Sequence, residues 1–125
     1  MSYNIARLRL LYKVGGTVNF QVGAALLDAC VLAILSREDA YGYVLTQNVK
    51  GILNVSESTL YPVLRRLQKE DSLSVYDMPF DGRNRRYYQI TESGKEKLKE
   101  FISQWDEYKE KVDTILLGGT QDGQA

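Results

Sequence analysis

Leu98, Phe101, Trp105, Tyr108, Val112 and Ile115 fall at alternating steps of three and four residues near the end of this 125-residue chain. That spacing is the a/d seam of a helix lying lengthwise on another helix. The seam is longer than so small a domain can cover by itself, so it implies a partner chain. Thr91 is suited to cap this helix, and Glu92 puts negative charge at the positive end of its dipole. Gly118-Gly119 stops it. A dimerisation helix over 92–117 and a loose tail over 118–125 are expected.

The stretch from Val22 to Leu35 is apolar nearly all round, as in a helix buried on more than one side. Leu27, Val31, Ile34 and Leu35 form one stripe, toward the chain's own core. Val22, Ala25, Ala29 and Leu32 form a second stripe, whose small residues let another helix or a ligand approach. That second stripe is read as a dimer surface. Asp28 interrupts the apolar pattern and needs a partner if it is buried; the plainer alternative is that it points to water at a seam. Cys30 has no cationic neighbour to activate it and reads as core.

Ser36 to Asp39 is a polar connection, with Asp39 suited to cap a short helix over 40–49. Tyr41, Leu45 and Val49 face inward, and Gly51 ends the helix. The next helix opens at Ser56, a residue suited to accept a bond from the free amides of the first turn. Leu60, Val63, Leu64 and Leu67 then recur at helical spacing. The opposite face carries Ser58, Tyr61, Arg65 and Lys69. Small polar groups, an aromatic and cations suit a helix in a DNA groove. Alone, the same pattern favours a solvated amphipathic helix. Pro62 lacks the amide that would bond the Ser58 carbonyl, so a bend or an irregular first turn is expected.

The segment after this helix tips that balance. Residues 72–77 alternate in the period of a strand, with Leu73 and Val75 inward, and 87–90 return as a second strand. Between them Pro79 and Asp81-Gly82 are turn signals, and 78–86 reads as a basic loop. A hairpin after the second helix of a helix-turn-helix is a wing. Arg83, Arg85 and Arg86 then stand where phosphates or a minor groove would be.

Composition sets the limits. Sixteen basic and sixteen acidic residues give zero net charge, so a nucleic-acid partner must be met by a local patch. Histidine is absent and Cys30 is the lone cysteine. Metal-ligand and nucleophile-plus-base patterns are missing, so neither an enzyme, a metal site nor a cofactor is expected. No apolar run spans a bilayer and one cysteine fits a reducing compartment; a cytoplasmic protein without membrane contact is expected. Residues 1–19 read as an extension outside the fold. Gly15-Gly16 before Val18 would fit a ribosome-binding sequence ahead of a GTG start, which the codon at Val18 tests.

Three segments in order, A-Y-G-Y-V-L, S-E-S-T-L-Y-P-V-L-R-R-L and G-R-N-R-R-Y-Y-Q-I-T-E-S-G, resemble the PadR family of bacterial transcriptional repressors over roughly residues 20–117. The fold class so read is mainly α with a small β-hairpin: a winged helix-turn-helix over 20–91 plus the long C-terminal dimerisation helix. The resemblance implies a homodimer that binds a two-fold operator in double-stranded DNA and releases it on taking up a small-molecule effector. DNA contacts are expected from Ser58, Thr59, Tyr61, Arg65, Arg83, Arg85 and Arg86. The resemblance to the small subclass also implies that Trp105 faces its mate across the dimer and stacks flat aromatic compounds. Val22, Ala25, Asp28, Ala29 and Tyr108 would line that same seam, with plain dimer core as the alternative role for Trp105. A winged-helix protein-interaction module that binds no DNA is the alternative for the whole chain.

Overall fold

The computed structural model describes residues 23–118. In chain order these form α1 (Ala24–Arg37), β1 (Ala40–Tyr41), α2 (Gly42–Leu53), α3 (Glu57–Lys69), β2 (Leu73–Phe80), β3 (Arg83–Ile90) and α4 (Glu92–Leu117). The expected N-terminal extension, Val22 and the tail beyond Gly118 lie outside the described residues.

Apolar periodicity builds most of the core, with one exchange on α1: Leu32, expected on the second stripe, is buried, while Ile34, expected in the core, is only partly buried. Leu27, Val31, Leu32 and Leu35 of α1 meet Leu45 and Val49 of α2 and Leu60, Leu64 and Leu67 of α3. Leu73, Tyr88 and Ile90 close the sheet side, and Leu98 adds the first turns of α4. Ser56 caps α3 by accepting from the Thr59 amide, and Thr91 caps α4 by accepting from the Gly94 amide at 2.9 Å. α3 ends in a Schellman turn. Asp71 takes φ +66, the Ser72 amide donates to the Leu67 carbonyl, and the Asp71 amide donates to the Gln68 carbonyl. Pro62 lies inside an unbroken α3 on its exposed side, where the Ser58 carbonyl can turn to water.

Four details differ from the sequence reading. First, Ala40 and Tyr41 are not helical. They pair with Tyr88 and Tyr87, so the hairpin becomes a three-stranded antiparallel sheet in the order β1-β3-β2. Two residues are too few for a strand period to be seen in sequence, and only their partner reveals them. Second, Asp39 caps nothing. Its Oδ2 accepts from the Tyr76 hydroxyl at 2.7 Å and from Gln89 Nε2 at 3.3 Å, tying the start of β1 to the other two strands. Third, α2 runs through Gly51 and stops at Asn54, whose φ of +58 and amide bond to the Lys50 carbonyl end the helix. Asparagine tolerates that conformation, so glycine is not required.

Fourth, most of the expected 78–86 loop is ladder. β2 and β3 pair from Leu73 with Ile90 out to Phe80 with Arg83, leaving Asp81-Gly82 as a two-residue turn. Both turn residues have positive φ, +52 and +74, the primed geometry whose twist matches the strands it joins. Pro79 is tolerated because β2 is an edge strand.

Candidate nucleic-acid interface

α3 presents its candidate residues because the rest of the helix is fixed in the core. Ser58, Thr59, Tyr61, Arg65 and Lys69 are exposed, while Leu60, Val63, Leu64 and Leu67 are buried. At the N-terminus the hydroxyls of Ser58 and Thr59 each lie 3.0 Å from Ser56 Oγ, so three hydroxyls cluster on the cap. Gln47 of α2 donates to the Glu57 carboxylate, fixing the angle between the two helices at the turn. Arg65 has no ion-pair partner among the described residues.

The three wing arginines are not equivalent. Arg83, beside the turn, is exposed and unpaired among the described residues. Arg86 lies 3.8 Å from Asp77 on the neighbouring strand, an exposed pair of small energetic weight. Arg85 is half-buried, with its guanidinium over two rings, 3.6 Å from the Phe80 centroid and 4.6 Å from that of Tyr41.

The seam residues divide as well. Ala25, Asp28 and Ala29 border a cleft of about 60 Å³ between α1 and α4, completed by Leu32, Lys97 and Phe101. Leu32 and Ala29 are buried beside the chain's own α4, so among the described residues of the second stripe only Ala25 is exposed. Trp105 stacks on Phe101, ring centroids 6.5 Å apart and planes 12° from parallel, and remains 39 % exposed. Tyr108, 62 % exposed, stands one turn further along and does not reach the cleft.

Asp28 is the residue whose surroundings the sequence could not supply. Only 6 % exposed, it is hydrogen-bonded through Oδ1 to Arg66 Nη2 of α3, with Lys97 Nζ of α4 3.9 Å from Oδ2. Lys97 in turn donates to Glu70 at 3.0 Å, and Arg66 reaches the same Glu70 at 3.4 Å. These four charges join α1, α3 and α4. The bond to Asp28 raises the Arg66 pKa further, and the Lys97 hydrogen bond holds the Glu70 carboxyl below its usual range. Neither Arg66 nor Lys97 is a candidate from sequence, since the partners lie 38 and 27 residues apart along the chain. Cys30, partly exposed, has its thiol pKa pushed up by burial, which works against a reactive thiolate.

The family model described as transcriptional regulator PadR-like family matches residues 31–100. The fold is similar to that of the smu.1704 protein from Streptococcus mutans UA159, with a TM-score of 0.74 and 40 % identity over 82 % of this chain and 97 % of that one. A PadR-like transcriptional regulator from Bacillus cereus, BC4206, matches at 38 % identity and a TM-score of 0.65, over 72 % of this chain and 90 % of that one. An uncharacterized protein of Lysinibacillus sphaericus is 37 % identical over 98 residues, which is 74 % of this chain and 89 % of the relative.

Proposed function

The chain belongs to the PadR-like family of transcriptional regulators, and from that premise we propose that it is a homodimeric repressor of a two-fold operator, released by a small aromatic or drug-like effector. The observation that carries the reading is the pairing of a polar-faced α3 with an arginine-tipped wing on one rigid core. Ser58, Thr59 and Tyr61 reach base edges or sugars in the major groove, while Arg65 and Arg83 neutralise phosphates. Arg86 adds to the wing's positive field.

The dimer follows from α4. Its 26 residues span about 39 Å, and its outer half carries Ile115 and Leu116 at 81 % and 71 % exposure. A second copy is the cover its a/d spacing fits. In such a dimer the two α3 helices stand about 34 Å apart, one DNA turn.

The switch follows from the ion network. α1 holds α3 through Asp28 and Arg66, and α4 holds it through Lys97 and Glu70. An effector stacked at Trp105 that shifts α4 against α1 therefore changes how α3 is presented. It weakens DNA binding only as far as it prefers the shifted arrangement.

The test is a fluorescence-anisotropy titration of the DNA upstream of the encoding gene, run beside sedimentation of the free protein. A dimer that binds with an affinity falling steeply with salt supports the reading. A monomer, or a dimer indifferent to that DNA and to selected duplexes, refutes it. The zero net charge favours one other reading, a winged-helix protein-interaction module, and indifference to DNA is its signature.

A further inference from the structure

The sheet has two faces, and alternation along β3 sorts its residues between them. Tyr88 and Ile90 point into the core, so Arg83, Arg85 and Tyr87 share the outer face. On that face Tyr76, Tyr87 and Tyr41 form a ladder across all three strands, with centroid spacings of 5.5 Å and 5.9 Å. Arg85 extends it toward the tip. Its strand is the central one, Phe80 lies on the neighbour to one side, and Tyr41 lies on the neighbour to the other. By register both rings are its diagonal neighbours, since Phe80 is opposite Arg83 and Tyr41 is opposite Tyr87. Diagonal spacing is within reach of aromatic and long side chains.

We infer that Arg85 is a positioning residue: clasped by Phe80 and Tyr41, it fixes the wing tip to the helix-turn-helix, and so fixes where Arg83 meets DNA. Tyr41 is the residue that makes this possible. It is both the last residue of β1 and the N-cap of α2, so a contact to its ring is a contact to the helical half of the domain. Tyr43 in the first turn of α2 packs on the same ring at 6.3 Å. Without the clasp the tip is held only by its two-residue turn and the β2–β3 ladder, and a two-stranded ribbon is marginal by itself. The Arg85 guanidinium is occupied by two rings, whereas Arg83 at the turn has no partner among the described residues. Charge and geometry thus divide the work: one arginine sets the angle, the other contacts the backbone.

The test has two arms, because the second rests on the DNA-binding reading above and the first does not. In the free protein, the Arg85 Nε–H resonance is expected to be shifted upfield by the ring currents of Phe80 and Tyr41. Phe80→Leu or Tyr41→Leu should return it toward the ordinary arginine position and speed amide exchange at Arg83 several-fold. An unshifted resonance in the wild type overturns the inference.

In the second arm, a duplex selected from a random pool by the wild-type chain is titrated at several salt concentrations. Arg83→Ala should reduce the salt slope by about one contact. Arg85→Ala and Phe80→Leu should each weaken binding roughly fivefold, in line with two modest cation–π contacts. Arg85→Lys should recover part of that loss, because an ammonium keeps the charge but not the flat contact. Combined with Arg83→Ala, neither Arg85→Ala nor Phe80→Leu should weaken binding further. If Arg85→Ala instead adds to Arg83→Ala and removes a unit of slope of its own, Arg85 is itself a phosphate contact and the inference fails. If no duplex is retained while the ring-shifted signal stands, the DNA-binding reading and the role of Arg83 fall, and the clasp is confirmed.

Discussion

The Asp28 carboxylate of α1, almost wholly enclosed, is hydrogen-bonded to the Arg66 guanidinium on the inner edge of α3, the helix whose outer face carries the candidate DNA contacts. Removing one member leaves the other without its principal partner. Arg66→Ala is expected to lower stability by about 2 kcal/mol in urea unfolding. That is less than for a fully enclosed pair, because Arg66 is 40 % exposed and Lys97 remains near Asp28. In a double-mutant cycle with Asp28→Asn, the second substitution should cost much less than it does alone. Strict additivity would show that the two residues are not energetically coupled.

Glu70 gives a pH signature with a definite sign. Its folded pKa is depressed, chiefly by the Lys97 hydrogen bond. The stabilisation is therefore present above the unfolded glutamate value and is lost as pH falls through the lower folded value. Carbon-detected titration of the Glu70 carboxyl should show a midpoint below that of an unstructured glutamate. Lys97→Met should move it upward, and the stability that Glu70 contributes above the unfolded glutamate value, together with its loss in acid, should shrink. A midpoint unaffected by Lys97→Met contradicts the bond.

Gly94 sits in the first turn of α4, where its Cα passes against the Ser72 carbonyl. An added Cβ would meet that oxygen at 2.2 Å. In an open helix, glycine to alanine stabilises by about 1 kcal/mol. Here Gly94→Ala is expected to destabilise by about 2 kcal/mol, since the base of α4 must lift from the sheet. Urea unfolding with circular dichroism checks the sign, and a stabilised variant would mean that α4 docks elsewhere.

The wing turn depends on two positive φ angles. Gly82 at +74 tolerates no side chain cheaply, so Gly82→Ala should cost about 1 kcal/mol, while Asp81→Asn should be neutral or slightly stabilising. At fixed protein concentration, thermal melts should separate the two variants by about 4 °C. Equal melting temperatures would contradict the primed turn.

Much of this architecture is legible in periodicity and end signals. Leu60, Val63, Leu64 and Leu67 define the buried face of α3, Ser56 and Thr91 mark two helix starts, and Asp-Gly marks the wing turn. These signals are local: a 3.6-residue period, a hydroxyl before a helix and a glycine that accepts positive φ act within a few residues of chain. The loop expected over 78–86 proves to be mostly ladder, because Pro79 reads as a breaker until its strand is known to lie at an edge. β1 escapes a reading of the sequence because two residues carry no period.

By itself, the sequence determined the buried face of α3, the wing turn and the a/d spacing along α4, because each is encoded in neighbouring residues. The tertiary structure alone decided which charges meet. Asp28 found Arg66 and Lys97 on two other helices, Asp39 found Tyr76 and Gln89, and Arg85 came to lie over Phe80 and Tyr41. A charged side chain takes whichever partner the packed backbone brings within a few ångströms. That choice is made by contacts distant in the chain, and no local pattern records it.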